Sequence, residues 1–146
     1  MSTSIPAALR RRIVQRADGL CEYCLIHQRD SYFAHHVDHI VSRKHGGRTT
    51  AANLAFACLP CNLAKGSDVA SILPPRGVVR LFHPLKDRWS EHFRLDGAEI
   101  LPLSDIGRVT ACLLGFNTRG RVSERRGFIR EGKYPSSEAL SRLREK

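Results

Sequence analysis

Two short cysteine pairs, Cys21-Glu22-Tyr23-Cys24 and Cys58-Leu59-Pro60-Cys61, constrain this chain most, because they enclose Val37-Asp38-His39-Ile40 and the second runs directly into Asn62. Two C-x-x-C knuckles supply four thiolates, the tetrahedral set that a structural zinc takes, and a metal held there closes the intervening segment into a loop. Short-range disulfides or buried free thiols are the competing use. No apolar signal segment opens the chain (Met1-Ser2-Thr3-Ser4-Ile5-Pro6), so a reducing cytoplasm and a zinc site at Cys21, Cys24, Cys58 and Cys61 are expected. Cys112 sits in the apolar run Ala111-Cys112-Leu113-Leu114 and is expected in the core.

A chain of 146 residues fits one domain with a core of its own, yet zinc is expected to nucleate the N-terminal half. Lys and Arg number 24 against 14 Asp and Glu, a net charge of +10, which is the footprint of a protein that neutralises phosphates. Nucleic acid is the expected partner; a basic surface kept for solubility, or contact with anionic lipid, is the alternative. No stretch approaches membrane-spanning length.

Ser4 is a candidate cap for a first helix from about Pro6 to Ala17, with Leu9, Ile13 and Ala17 on one face and Arg10, Arg11, Arg12 and Arg16 on the other, solvated or against DNA. Phe33 to Val41 reads as a strand carrying Asp38 and His39, and Ser42 to Thr50 as a basic, glycine-containing loop suited to a phosphate backbone. A second strand from Leu54 to Ala57 and a short helix stopped by Gly66 complete this half. Beyond a proline-rich connection, Val78 to Phe82 reads as a strand, Asp96-Gly97 as a hairpin turn between strands at about Trp89 to Leu95 and Glu99 to Leu103, and Ser104 as the cap of a helix to about Leu114. Two more helices are expected in the basic tail, separated near Tyr134-Pro135. The fold expected is α+β: a zinc-stapled core over residues 1-70, and a hairpin-plus-helix extension over residues 71-146 packed on it as one domain.

The order C-x-x-C, V-D-H-I, a Gly-Gly loop, Asn53-Leu54, then C-x-x-C-N-x-x-K ending at Lys65 resembles the HNH endonucleases, the ββα-metal nucleases, and in particular those whose motif lies inside a four-cysteine zinc site. The resemblance covers about Cys21 to Gly66. It implies hydrolysis of DNA phosphodiester bonds leaving a 5′ phosphate and a 3′ hydroxyl, with His39 as general base, Asp38 and Asn62 as ligands of a catalytic Mg2+ or Mn2+, and Asn53 stapling the loop that holds the base. It also implies that Lys65, one turn past Asn62, faces phosphate; a solvated helix-end lysine is the plain alternative.

The chemistry agrees. Phosphodiester hydrolysis needs an activated water, which a neutral imidazole can provide, and stabilisation of charge on the phosphorane and the leaving oxygen, which a cation held by hard oxygen donors can provide. Either His35 or His36 could extend the metal or DNA-binding shell or be a hydrogen-bonded structural residue, and period two makes His36 the better candidate by placing it on the Asp38 face. His45 is expected near DNA; His27, His83 and His92 are expected to be structural. Alternation also points Asp38 and His39 to opposite faces, so a shared phosphate requires a twisted strand or a site along its edge. The competing functional reading is a zinc-dependent DNA-binding module without catalysis. Cleavage of RNA by the same chemistry is a third.

Overall fold

The computed structural model describes residues 4–144; readings that touch residues 1–3 and 145–146 lie outside it. Helix α1 (Ala7–Arg16) opens the chain, with Pro6 in the cap position and no side chain accepting from its first turn, so Ser4 does not cap it. Strands β1 (His36–His39) and β2 (Leu54–Ala57) pair antiparallel, Val37 opposite Phe56 and His39 opposite Leu54, and α2 (Leu59–Lys65) follows at once. Ile13 of α1 and Ala17 just past its end bury Val37, Leu54 and Phe56 in a small core. Ala55 and Ala57, on the other face of the sheet, join the main core with the four cysteines. The hairpin is thus sandwiched between α1 and the knuckle side.

Arg16 fastens α1 to the turn before β2. Its guanidinium donates to the carbonyls of Ala51 at 2.8 Å and Leu54 at 2.5 Å, and pairs at 3.1 Å with Glu22, which accepts from the Phe56 amide. Of the arginines expected on an open face, Arg10, Arg11 and Arg12 are exposed and Arg16 is a structural tie.

Among the described residues the second half holds two more hairpins and four helices: β3 (Ala70–Leu73) with β4 (Gly77–Arg80), α3 (Trp89–His92), β5 (Phe93–Asp96) with β6 (Glu99–Pro102), α4 (Asp105–Leu113), α5 (Arg119–Arg130) and α6 (Ser137–Arg144). Ser104 caps α4, accepting from the Gly107 amide at 3.0 Å, as its sequence suggests. Three readings change. The proline-rich connection is the turn of β3–β4; Trp89 to His92 is a helical turn before the strand; and the tight turn of β5–β6 centres on Gly97-Ala98, with Asp96 its last paired residue. Cys112 is exposed, correcting its core assignment: α4 turns Val109, Thr110 and Ala111 inward and leaves the next position outside.

Phe93 centres the main core, its ring 5.1 Å from Trp89, 5.4 Å from Phe82 and 5.5 Å from Phe116. Cys21, Cys24, Cys58 and Cys61 belong to that same cluster, so the knuckles lie inside the core that the extension builds. Arg125 is fully buried there, donating to the carbonyls of Ala98 at 2.7 Å and Phe116 at 2.6 Å. Among the described residues no helix is long and apolar enough to cross a membrane.

Candidate metal and nuclease site

The four cysteine sulfurs lie within 4.8 Å of one another and are all buried. Tetrahedral zinc with Zn–S near 2.3 Å sets its sulfurs roughly 3.8 Å apart, and Cys24 Sγ and Cys58 Sγ are 3.7 Å apart. The first knuckle has the tight backbone such a site needs: the Cys24 amide points at Cys21 Sγ at 3.4 Å, and the Leu25 amide donates to the Cys21 carbonyl at 2.9 Å. Leu25 holds φ at 67°, a left-handed conformation costly for a branched side chain, kept here by burial of that side chain. Packed together without a cation, the thiols cannot all ionise. Hydrogen bonding from Cys21 holds Cys24 down and pushes Cys58 up, while burial first and then Cys21 and Cys24 push Cys61 up, with Cys58 opposing. The donor set fits zinc, whose charge would let all four bind as thiolates.

Asp38 and His39 end β1, both half-buried. The backbone just beyond them is held from two sides. Asn53 accepts from the Val41 amide and donates to the Val41 and Arg48 carbonyls, each at 2.9 Å, and its own carbonyl takes the Ile40 amide at 2.8 Å. Lys65 donates to the Ile40 carbonyl at 2.8 Å. Every backbone polar group of Ile40 and Val41 is therefore occupied. Gly47 completes the staple, since a Cβ there would overlap the Val41 carbonyl oxygen and crowd the Asn53 amide.

Lys65 differs from expectation. It is buried, neither facing phosphate nor solvated, and burial lowers its pKa against the pull of Asp38 and then Asp68. Asn62 lies half-buried on the same helix. His36 is exposed, whereas His35 is buried with Nε2 at 2.9 Å from the Ile26 carbonyl. Among the described residues, no set of three His, Cys, Asp or Glu donors converges other than the cysteines. His45 is exposed in the loop with Arg43, Lys44 and Arg48.

Sequence reading missed Thr49. Its hydroxyl lies 2.9 Å from His39 Nε2 and accepts from Arg43 at 3.5 Å. It also missed Arg121, which donates to Cys61 Sγ at 3.3 Å. Neither carries a local signal: one is a polar residue in a polar loop, the other one arginine among many in the tail.

An antiparallel pair followed directly by a short helix, framed by two cysteine knuckles, defines a ββα unit. Residues 21–68 match the family described as HNH endonuclease, so this stretch is similar to an HNH domain. Comparison with curated proteins gave no match, nor did comparison with solved structures.

Proposed function

We propose that the chain is a metal-dependent endonuclease that hydrolyses DNA phosphodiester bonds, its knuckles holding a structural zinc and His39 acting as general base. One observation carries the reading: the chain just past His39 is fixed by Asn53 and Lys65, while the imidazole itself stays half open at the free end of an edge strand. A histidine serving only the core has no need of that fixation with exposure.

Thr49 orients the ring. In the tautomer with the proton on Nε2 its hydroxyl oxygen accepts from His39, which leaves the Nδ1 lone pair to take a proton from water. Asp38 and Asn62 offer hard oxygens on β1 and α2, and among the described residues neither side chain has a protein hydrogen-bond partner. As hard oxygen donors, Asp38 and Asn62 would hold a divalent cation such as Mg2+ or Mn2+, which would supply Lewis-acid stabilisation of the charge that develops during hydrolysis. Asp38 and His39 keep opposite faces of the pairing register, so the scissile phosphate is expected along the free edge of β1. Arg43, Lys44 and Arg48, exposed in the loop after β1, and Arg10, Arg11 and Arg12, exposed on α1, are available to neutralise phosphates.

Nicking of supercoiled plasmid with Mg2+, Mn2+ or EDTA tests this. Loss of a general base costs about 100- to 10,000-fold, so His39→Ala should lose most nicking and keep DNA binding. Asp38→Ala should lose activity and regain part of it at raised Mn2+, whereas His39→Ala should respond to raised pH. Wild-type activity in both variants would leave the chain a DNA-binding module, and preferential cutting of structured RNA would move the substrate.

A further inference from the structure

We propose that the C-terminal extension is the outer shell of the four-cysteine site, with Trp89, Arg121 and Tyr134 locking both knuckles around the metal and slowing its release. The inference rests on the zinc reading above. It assigns a role to the half of the chain that lies beyond the HNH domain.

Each knuckle is gripped from outside the domain. The carbonyls of the first are taken by two side chains remote in sequence: Trp89 Nε1 donates to Tyr23 at 2.8 Å, and the Tyr134 hydroxyl donates to Cys24 at 2.8 Å. The second knuckle is met at its sulfurs. Arg121 lies 3.3 Å from Cys61 Sγ and 3.7 Å from Cys58 Sγ, while its other terminal nitrogen donates to the Leu114 carbonyl at 2.8 Å. Its guanidinium lies 5.9 Å from the centre of the Phe116 ring. Held at three points, it cannot swing away without breaking several contacts.

Electrostatics explains why an arginine stands there. Zinc with four thiolates carries a net charge of about −2, which is costly in an apolar core unless a cation accompanies it. Arg121 is that cation, charged at any working pH and able to donate to both sulfurs at once.

Transfer of zinc from the full-length protein to the chromogenic chelator 4-(2-pyridylazo)resorcinol reads the effect directly, without any nuclease assay. Outer-shell partners typically contribute 10- to 100-fold in metal retention, so Arg121→Ala should release zinc about that much faster. Arg121→Lys should fall between, since a point charge replaces only part of the fork. Tyr134→Phe, which removes one hydroxyl, should also accelerate release and keeps the test sound if Arg121→Ala folds poorly. Arg126→Ala, exposed on the same helix, should match wild type. Release at the wild-type rate from Arg121→Ala and Tyr134→Phe overturns the outer shell but leaves the zinc site standing, as does equal acceleration in Arg126→Ala. Protein purified under reducing conditions without zinc overturns both.

Discussion

At the scale of single residues, the candidate site depends on second partners more than on the residues that announce it. Asp38, His39, Asn53 and Asn62 are proposed because the local order of residues around them resembles the HNH motif. Thr49 was not legible in the sequence, since only the folded loop brings its hydroxyl to His39. Thr49→Val keeps shape and removes the acceptor, freeing the ring to rotate and to change tautomer. Nicking should fall between about 10- and 100-fold, chiefly in kcat, with DNA affinity unchanged; an unaltered rate would remove Thr49 from the mechanism. His35 gives a different test. Buried against Phe56 and bonded to Ile26, it prefers the neutral ring: burial lowers its pKa, with the Ile26 carbonyl opposing. Its stabilisation is therefore complete above the ordinary histidine value near 6.5 and is lost as pH falls through the lower folded value. Urea midpoints measured from neutral to mildly acid pH should fall less steeply for His35→Gln than for wild type, whereas thiolate protonation affects both alike.

Among elements, α2 reverses what its sequence suggests. Lys65 reads as a lysine of the last helical turn, outward by default, and no local pattern says that Ile40 will present a carbonyl beneath it. Lys65→Met fills similar space and leaves that carbonyl unpaired, costing about 1 to 3 kcal/mol of stability. Nicking should fall with it, because the strand end that aims His39 loosens. Salt dependence separates the two roles. Removing a phosphate contact lowers the log-log slope of DNA affinity against salt by about 0.9, so an unchanged slope is expected for Lys65→Met and a reduced one for Arg48→Ala. Element existence was otherwise legible wherever capping or turn chemistry is local, as at Ser104 and Gly97. It failed at Ala70–Leu73, whose strand character comes from pairing with β4, and at Trp89–His92, where burial of Trp89 wins over alternation.

Over the whole molecule, the cysteines expected to nucleate the N-terminal half lie in a core that both halves share. The four cysteines pack in one cluster with Trp89, Phe93 and Phe116. Zinc binding contributes on the order of 10 to 16 kcal/mol in small cysteine sites, comparable to the entire stability of a domain. Chelation should therefore unfold both halves together. The single tryptophan, buried beside Tyr23, reports it: its emission should shift red in step with loss of far-UV helix signal, and separate transitions would refute a common core. Burial of Arg121 and Arg125 lay beyond sequence reading, since long-range packing decides which arginines of a basic tail turn inward. The same arrangement orders events in time. Arg121 lies 60 positions after Cys61, and Tyr134 lies 110 after Cys24. At synthesis rates of about 5 to 20 residues per second, the ribosome needs roughly 3 to 12 s to make the stretch from Cys61 to Arg121. During that interval the nascent chain has its full set of thiols and lacks the proposed lock, so a zinc held there would be exchangeable while the protein is being made and committed once its last helices arrive.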